Sequence, residues 1–316
     1  RLWRRNLTWP AALRGKWLAA GLFVAVLFAY ELFDLWASPR GTVVLIGAYF
    51  AGAALVGVLF RGEPFCKSVC PLGQFNLVAS MVSPFEVRLR EEETCEACQV
   101  HDCIRGRGEQ QGCELDLFQP RKIGNFNCHW RLDCARACRY DNVGIVARPP
   151  GEELWLDGWR SGVGRLAARP DIAALVVVFT FGALVNAFGM VTPVYALEEW
   201  MAGVLRTTWE APILAIIFFA GLVVLPALLL LPAAALSRRL AGAAESVVAV
   251  AVRYSYALVP LAFGVWAAHF AFHFLTGALT IIPLTQSTLI DLGLPLGPPA
   301  WSLGALVPTP LLFPLE

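Results

Sequence analysis

The sequence is poor in charge. Of its 316 residues, 16% are charged and 57% are hydrophobic, whereas soluble domains carry about 25% charged residues. This composition argues against an ordinary soluble enzyme. The net charge of +1 leaves no basic excess for binding phosphates of nucleic acid, so nucleic acid is not an expected partner. The sequence also lacks a Walker motif and a G-x-S-x-G motif, so nothing in it predicts a P-loop or serine hydrolase.

The apolar residues are concentrated in five stretches. Each is about as long as the 20 residues that a helix needs to cross a bilayer. The stretches cover residues 17–36, 41–60, 171–195, 211–236 and 256–283. We therefore predict an α-helical membrane protein with about five transmembrane helices in contact with membrane lipid.

Lysine and arginine are nearly absent from one side of these predicted helices. The segments 1–16, 61–170 and 237–255 hold 23 of the 25 lysines and arginines. Cytoplasmic segments of membrane proteins carry such an excess. This pattern predicts a bacterial inner (cytoplasmic) membrane protein with a cytoplasmic N-terminus and a periplasmic C-terminus.

Cysteine is absent outside residues 66–138, and all nine cysteines lie within that range. Cytoplasmic thiols stay reduced, so metal binding is favoured over disulfides. A second run fits the ferredoxin pattern C-x2-C-x2-C-x3-C and consists of Cys128, Cys134 and Cys138. Arg131 occupies the second cysteine position of this pattern. A first run has the same pattern with insertions: Cys95, Cys98, Cys103 and Cys113. Zinc is the competing metal, but its sites use paired C-x2-4-C knuckles, and the segment has only one C-x2-C pair.

The spacing assigns the cysteines to two [4Fe–4S] clusters. In two-cluster ferredoxins the fourth cysteine of each run binds the other cluster. The first cluster is therefore predicted to be bound by Cys95, Cys98, Cys103 and Cys138. The second is predicted to be bound by Cys113, Cys128 and Cys134, with Cys66 or Cys70 as the fourth ligand.

The second cluster leaves alternatives open, because Arg131 replaces one thiolate. Cys66 and Cys70 are four residues apart and share a face if helical, so they are also candidates for a separate centre. Alternatively, the second site holds a [3Fe–4S] cluster, or it is empty. His101 and His129 are neighbouring nitrogen donors, for which ordinary surface positions are favoured. We also expect the Arg131 cation to raise the reduction potential of the second cluster.

Four ionisable residues lie within the predicted spans, where such residues are costly and indicate function. Glu31 and Asp34 lie near the outer end of the first span, and His269 and His273 lie one turn apart on the last. If these helices meet, the four side chains would form a site that accepts protons from a quinol. Interfacial carboxylates and structural hydrogen bonds are the competing interpretation. A haem is disfavoured, because adjacent turns of one helix cannot supply both axial ligands; one ligand shared with a partner subunit stays open.

The cysteine segment resembles a known family. The resemblance rests on Cys66-Lys-Ser-Val-Cys70-Pro-Leu-Gly after an apolar stretch, on Glu-Leu-Asp-Leu-Phe-Gln-Pro-Arg-Lys at 114–122, and on the second cysteine run. Over residues 60–150 the chain is similar to membrane-bound polyferredoxins of the NapH, NosR and CcoG type, especially the FesM-like branch. The resemblance implies a membrane [4Fe–4S] electron carrier linking quinol to periplasmic redox partners. Arg131 and Arg139 depart from the family pattern.

These interpretations define a predicted organisation. Residues 1–60 hold two transmembrane helices, 61–150 a ferredoxin-like iron–sulfur domain, 151–170 a linker, 171–283 three transmembrane helices and 284–316 an extracytoplasmic tail. The predicted function is electron transfer from quinol or a cytoplasmic reductant to partner subunits of a respiratory complex, such as a cytochrome or copper protein. A subunit is favoured over a self-contained enzyme. The alternatives are a quinol-oxidising enzyme with its site at His269 and His273, and a membrane-anchored redox sensor or scaffold.

Overall fold

The computed structural model describes residues 7–156 and 158–307 and is mostly helical. Within these residues, four helices are long and apolar enough to cross a membrane: Pro39–Leu59, Pro170–Phe188, Glu210–Ala241 and Val247–Gly277. They correspond to four of the five predicted spans. The first predicted span forms a shorter apolar helix of 16 residues, Trp17–Leu32.

The regular elements follow one another in a simple order. The helices are α1 (Trp17–Leu32), α2 (Pro39–Leu59), α3 (Pro64–Ser68), α4 (Pro71–Ala79), α5 (Glu92–Glu96), α6 (Asp102–Arg105), α7 (Asp133–Ala137), α8 (Pro170–Phe188), α9 (Thr192–Leu205), α10 (Glu210–Phe219), α11 (Leu225–Ala241), α12 (Val247–Ser255), α13 (Val259–Gly277) and α14 (Ile281–Asp291). The strands are β1 (Phe85–Leu89) and β2 (Val143–Ala147). The small sheet and the short helices α3 to α7 therefore lie between the apolar helices α2 and α8.

Two predicted spans end earlier than expected. The helix α1 ends at Leu32 rather than Trp36, and Asp34 adopts a left-handed conformation with φ 44°. The next helix then begins at Pro39, where the Ser38 hydroxyl accepts a hydrogen bond from the Gly41 N–H at 3.2 Å. The third predicted span divides into α8 and α9, because α9 has a proline in its first turn, and proline favours the start of a new helix over the interior of an old one.

Prolines in the last two spans lie close to turns of π and 3-10 geometry. A π-helical turn at Ala220–Val224 joins α10 to α11 just before Pro226, so the helix continues to Ala241. In the last span, Pro260 lies in the first turn of α13, after a 3-10 turn at Tyr256–Leu258. The α13 helix ends at Gly277 rather than near Pro283, and a separate helix, α14, occupies the start of the predicted tail.

Aromatic side chains pack α1 against the later apolar helices. The rings of Phe23 and Phe179 are 6.2 Å apart, and those of Phe28 and Phe218 are 5.3 Å apart. Phe75 on α4 packs against Phe179 at 4.8 Å. The α4 helix, which follows Cys70, is therefore fixed directly against α8.

The two strands close the cysteine-rich segment. They pair antiparallel, with Val87 opposite Ile145 in the register. Val87 and Val143 are buried in one cluster with Cys103 and Cys134. The loops that carry the cysteines therefore pack against the sheet.

A network of buried charges lies beside this sheet. Lys122 Nζ is 3.3 Å from Glu86 Oε1, and Arg148 is 3.4 Å from Glu86 and 2.9 Å from Glu153. All four side chains are at most 5% exposed. Lys122 and Arg148 compensate Glu86 and Glu153, and the buried Arg160 also interacts electrostatically with Glu153, since a buried charge requires a partner.

The chain divides into two units, residues 1–263 and 264–316. The cysteine-rich segment and α1 to α12 belong to the first. The predicted divisions near residues 60, 150, 170 and 283 stay predictions.

Candidate functional site

All nine cysteines are described by the structure, and none forms a disulfide. They occupy the ends of short helices and the loops that join them. Cys70 is the N-cap of α4, and Cys138 follows α7 directly. Short helices joined by tight turns allow thiols that are distant in sequence to converge.

One group of thiols contains Cys95, Cys98, Cys103 and Cys138. Cys103 interacts electrostatically with the other three, and Cys95 with Cys98 and Cys138. The structure therefore brings together the four cysteines that the sequence assigns to the first cluster, one of them from the second cysteine run.

An ion pair fixes Cys138 beside Cys103. Arg139 Nε is 2.7 Å from Asp102 Oδ2, and each of these residues directly adjoins one of the two cysteines. This pair lowers the pKa of Asp102, chiefly through the hydrogen bond from Arg139. Sequence reasoning treated Arg139 only as a departure from a family pattern and missed Asp102, since nothing in the spacing links them.

A second group contains Cys113, Cys128 and Cys134. Cys134 interacts electrostatically with the other two and, less strongly, with Cys103 of the first group, and Cys113, Cys128 and Cys134 line one small cavity. The Gln119 amide donates a hydrogen bond to Cys134 Sγ at 3.5 Å. The loop between Cys128 and α7 is tightly wound: Trp130 and Leu132 have φ values of 55° and 61°, and such left-handed non-glycine residues cluster at functional sites.

Burial raises the pKa of four of these thiols. It raises the pKa of Cys103 and of Cys134 to about 11 each. It also raises the pKa of Cys95 and of Cys128. Since a metal binds the thiolate, metal binding at these positions releases protons.

Cys66 and Cys70 form a third site at the end of α2. The Cys66 thiol donates a hydrogen bond to Cys70, which lowers the pKa of Cys70 to about 6, while the same bond raises the pKa of Cys66. Cys70 Sγ also accepts from the Gly73 N–H at 2.9 Å and contacts the Tyr49 hydroxyl. A Cβ at position 73 would lie 2.3 Å from the Cys66 carbonyl oxygen, so this turn requires glycine.

The third site faces the second group across a cavity. Cys66, Cys70 and Cys128 all line this cavity of about 500 Å³. His129 also lines it, and its Nδ1 is 3.2 Å from Glu63 Oε2. The other predicted nitrogen donor, His101, packs edge-on against Phe118 at 5.3 Å.

Arg131 is surrounded by carboxylates. Its guanidinium contacts Glu114, lies 3.5 Å from Glu63, and is 3.4 Å from Asp133 through Nε. One cation thus meets three carboxylates, so the group as a whole is negative. The expectation that Arg131 raises the reduction potential of the second cluster stays a prediction, and it concerns a cation that is paired with these carboxylates.

The ionisable residues of the predicted spans lie in two different units. Glu31 is on α1, and Asp34 is in the turn that follows it; both line a cavity with Glu198 and Glu210. His269 and His273 lie on α13, with ring centroids 4.6 Å apart. A site shared by the carboxylates and the histidines stays a prediction.

Within residues 7–156 and 158–307, no three His, Cys, Asp and Glu side chains lie close enough to hold one metal ion. A cluster of iron and sulfide ions is wider than one ion, so its cysteines stand further apart. Comparison with protein-family models, curated proteins and solved structures finds no match.

Proposed function

We propose that the protein is a membrane-bound iron–sulfur electron carrier, similar to the polyferredoxins. The observation that carries this proposal is the arrangement of seven cysteines in one group of four and one group of three. Four thiols match the ligand set of a [4Fe–4S] cluster. The proposed organisation is five transmembrane helices in a bacterial inner membrane, with a cytoplasmic ferredoxin-like domain between the second and third.

The donor set fits the proposed cofactor. The first group supplies four thiols. Two of them, Cys103 and Cys138, directly adjoin the residues of the Asp102–Arg139 ion pair. The second supplies three, and Cys66 or Cys70 is the nearest source of a fourth because both share a cavity with Cys128. When bound, a [4Fe–4S] cluster accepts and releases single electrons at a potential set by its protein surroundings.

The chain's own residues would set those surroundings. Cys103 and Cys134 are 7% and 6% exposed, so the sheet and the short helices shield one thiol of each group from water, while the other five thiols are partly exposed. The Gln119 amide donates to the sulfur of Cys134, and such hydrogen bonds stabilise added negative charge. The proposed partners are quinol or a cytoplasmic reductant on one side and redox subunits of a respiratory complex on the other.

Anaerobic purification of the full chain tests this proposal. We expect a brown protein with about eight iron ions per chain and paramagnetic signals on reduction, as for two four-iron clusters. In native membranes the iron should be reduced and reoxidised during turnover, which distinguishes an electron carrier from a sensor or scaffold. A colourless preparation, or one that contains zinc alone, would refute the proposal.

Replacing Arg131 with glutamine is expected to lower the reduction potential of the second cluster by some tens of millivolts. The change removes the cation that pairs with Glu63, Glu114 and Asp133, and the added negative potential disfavours the reduced state. Redox titration followed by electron paramagnetic resonance measures the shift. Arg136→Gln, which removes one exposed arginine from α7, the short helix that follows Arg131, is the control, and an equal shift in both variants would contradict a specific role of Arg131.

A further inference from the structure

One cavity in the first unit is lined by an excess of positive charge. It has a volume of about 870 Å³, which is within the size of ordinary ligand sites. Five cations line it: Arg14, Lys16, Arg61, Lys67 and Arg169. None of the functions proposed above uses this cavity.

Arg14, Lys16, Arg61 and Lys67 form no side-chain ion pair with any residue in the described part of the chain. Carboxylates lie near two of them, since Asp171 interacts electrostatically with Lys16 and Asp116 with Lys67. Lys16 Nζ donates to the Lys67 carbonyl oxygen, and Arg14 donates to the Trp9 carbonyl oxygen at 3.4 Å. Burial, followed by the neighbouring Arg169, lowers the pKa of Lys16 to about 8, and Asp171 opposes this shift.

Three carboxylates line the same cavity, fewer than the five cations. Asp171 is 2.7 Å from Arg169, which also lines the cavity, and Glu114 contacts Arg131, which does not. Asp116 is the third carboxylate of the lining. The cavity therefore keeps an excess of positive charge, which attracts anions.

The position of the cavity indicates the source of the anion. Lys16 immediately precedes α1, Arg61 follows α2, and Arg169 immediately precedes α8. The ends of three apolar helices thus meet at one cavity. Trp17, at the start of α1, is 60% exposed, as is common for tryptophan at a membrane interface. Basic pockets between membrane helices on the cytoplasmic side bind the head groups of anionic lipids.

We propose that this cavity binds the phosphate group of an anionic phospholipid. Arg14 and Arg61 would donate paired hydrogen bonds to its oxygens, and Lys16 and Lys67 would supply point charges. A bound lipid would contact the leader before α1, the end of α2 and the start of α8 together. Free phosphate offers the same chemistry, so the experiment separates the two sources.

The variants are chosen so that lipid binding by the cavity can be distinguished from charge compensation at a cluster. Lys67 lies close enough to Cys113 to interact with it electrostatically, so its replacement would affect both. Arg14 and Arg61 are exposed and are suitable for substitution. The matched control is R238Q/R239Q, which removes two exposed arginines from the last turn of α11, outside the cavity.

The full chain in neutral detergent is titrated with phosphatidylglycerol or phosphatidylcholine, and bound lipid is counted by native mass spectrometry. We expect one phosphatidylglycerol to bind in preference to phosphatidylcholine, and R14Q/R61Q to weaken its binding about 30-fold, from the usual contribution of two basic residues near a membrane surface. R238Q/R239Q should bind as the unsubstituted chain does. If the double variant does not fold, R61Q alone should weaken binding about 5-fold.

Three outcomes would overturn the proposal. Equal weakening in the control variant would indicate general surface charge. Displacement of the lipid by millimolar inorganic phosphate, with the same dependence on Arg14 and Arg61, would assign the cavity to free phosphate. Unchanged lipid binding with an altered reduction potential would show that the cations serve the cluster instead.

Discussion

Replacing Cys138 with alanine is expected to remove the cluster bound by Cys95, Cys98 and Cys103. Cys138 belongs to the second cysteine run, yet its thiol lies with the first group. A [4Fe–4S] cluster that loses one of four thiolates is exposed to solvent and to loss of iron. We expect about four of about eight iron ions to be lost, together with one of two paramagnetic signals. Iron analysis and low-temperature spectroscopy of the reduced protein measure both.

Cys128→Ala is the matched control for this prediction. Cys128 is in the same run as Cys138, but it lies with Cys113 and Cys134. Its replacement should remove the other signal and leave the one that depends on Cys138. If both variants lose the same signal, each cysteine run binds its own cluster, and the grouping described above is wrong.

Replacing Arg148 with methionine is expected to destabilise the cysteine-rich segment by about 3–5 kcal/mol, the usual cost of leaving a buried charge without its partner. Arg148 is 1% exposed in its side chain and lies between Glu86 and Glu153. It also donates a hydrogen bond to the Ser80 carbonyl oxygen at 3.0 Å. Methionine has a similar length but supplies neither charge nor donors. Denaturant unfolding of the full chain, followed by tryptophan fluorescence, measures the change.

An exposed ion pair provides the control. Arg90 and Asp141 are 3.0 Å apart, with side chains 54% and 85% exposed. Asp141→Asn should change the free energy of unfolding by less than about 1 kcal/mol, because water already screens this pair. If Arg148→Met and Asp141→Asn have similar small effects, the buried network does not stabilise the segment.

Hydropathy predicted the apolar helices well, because a span depends on the sum of many apolar side chains. Their ends were less predictable, since they depend on single residues. A left-handed turn at Asp34 follows the end of α1, and a proline in the first turn of α9 separates α9 from α8. The spacing of cysteines predicted two sets of ligands. In the structure the four thiols of the first set interact with one another, and the ligand assignment stays a prediction.

The residues that support the site could not be found from spacing. Arg131 meets Glu63 and Glu114, which come from distant parts of the chain. Asp102 and Arg139 become partners only because α6 and α7 pack together. In the sequence, Glu86 and Arg148 resemble ordinary solvated charges, and only the pairing of β1 with β2 shows that they are buried.

The pairing of Phe85 with Ala147 has a consequence for how such a protein can change. The residues between β1 and β2, which include seven of the nine cysteines, leave and re-enter the sheet side by side, so the length of this stretch can vary without altering the spacing of the flanking apolar helices. Segments with adjacent ends tolerate insertion and exchange. On the proposed function, exchange of this stretch for that of another carrier is expected to alter the redox properties and to leave the apolar helices in place.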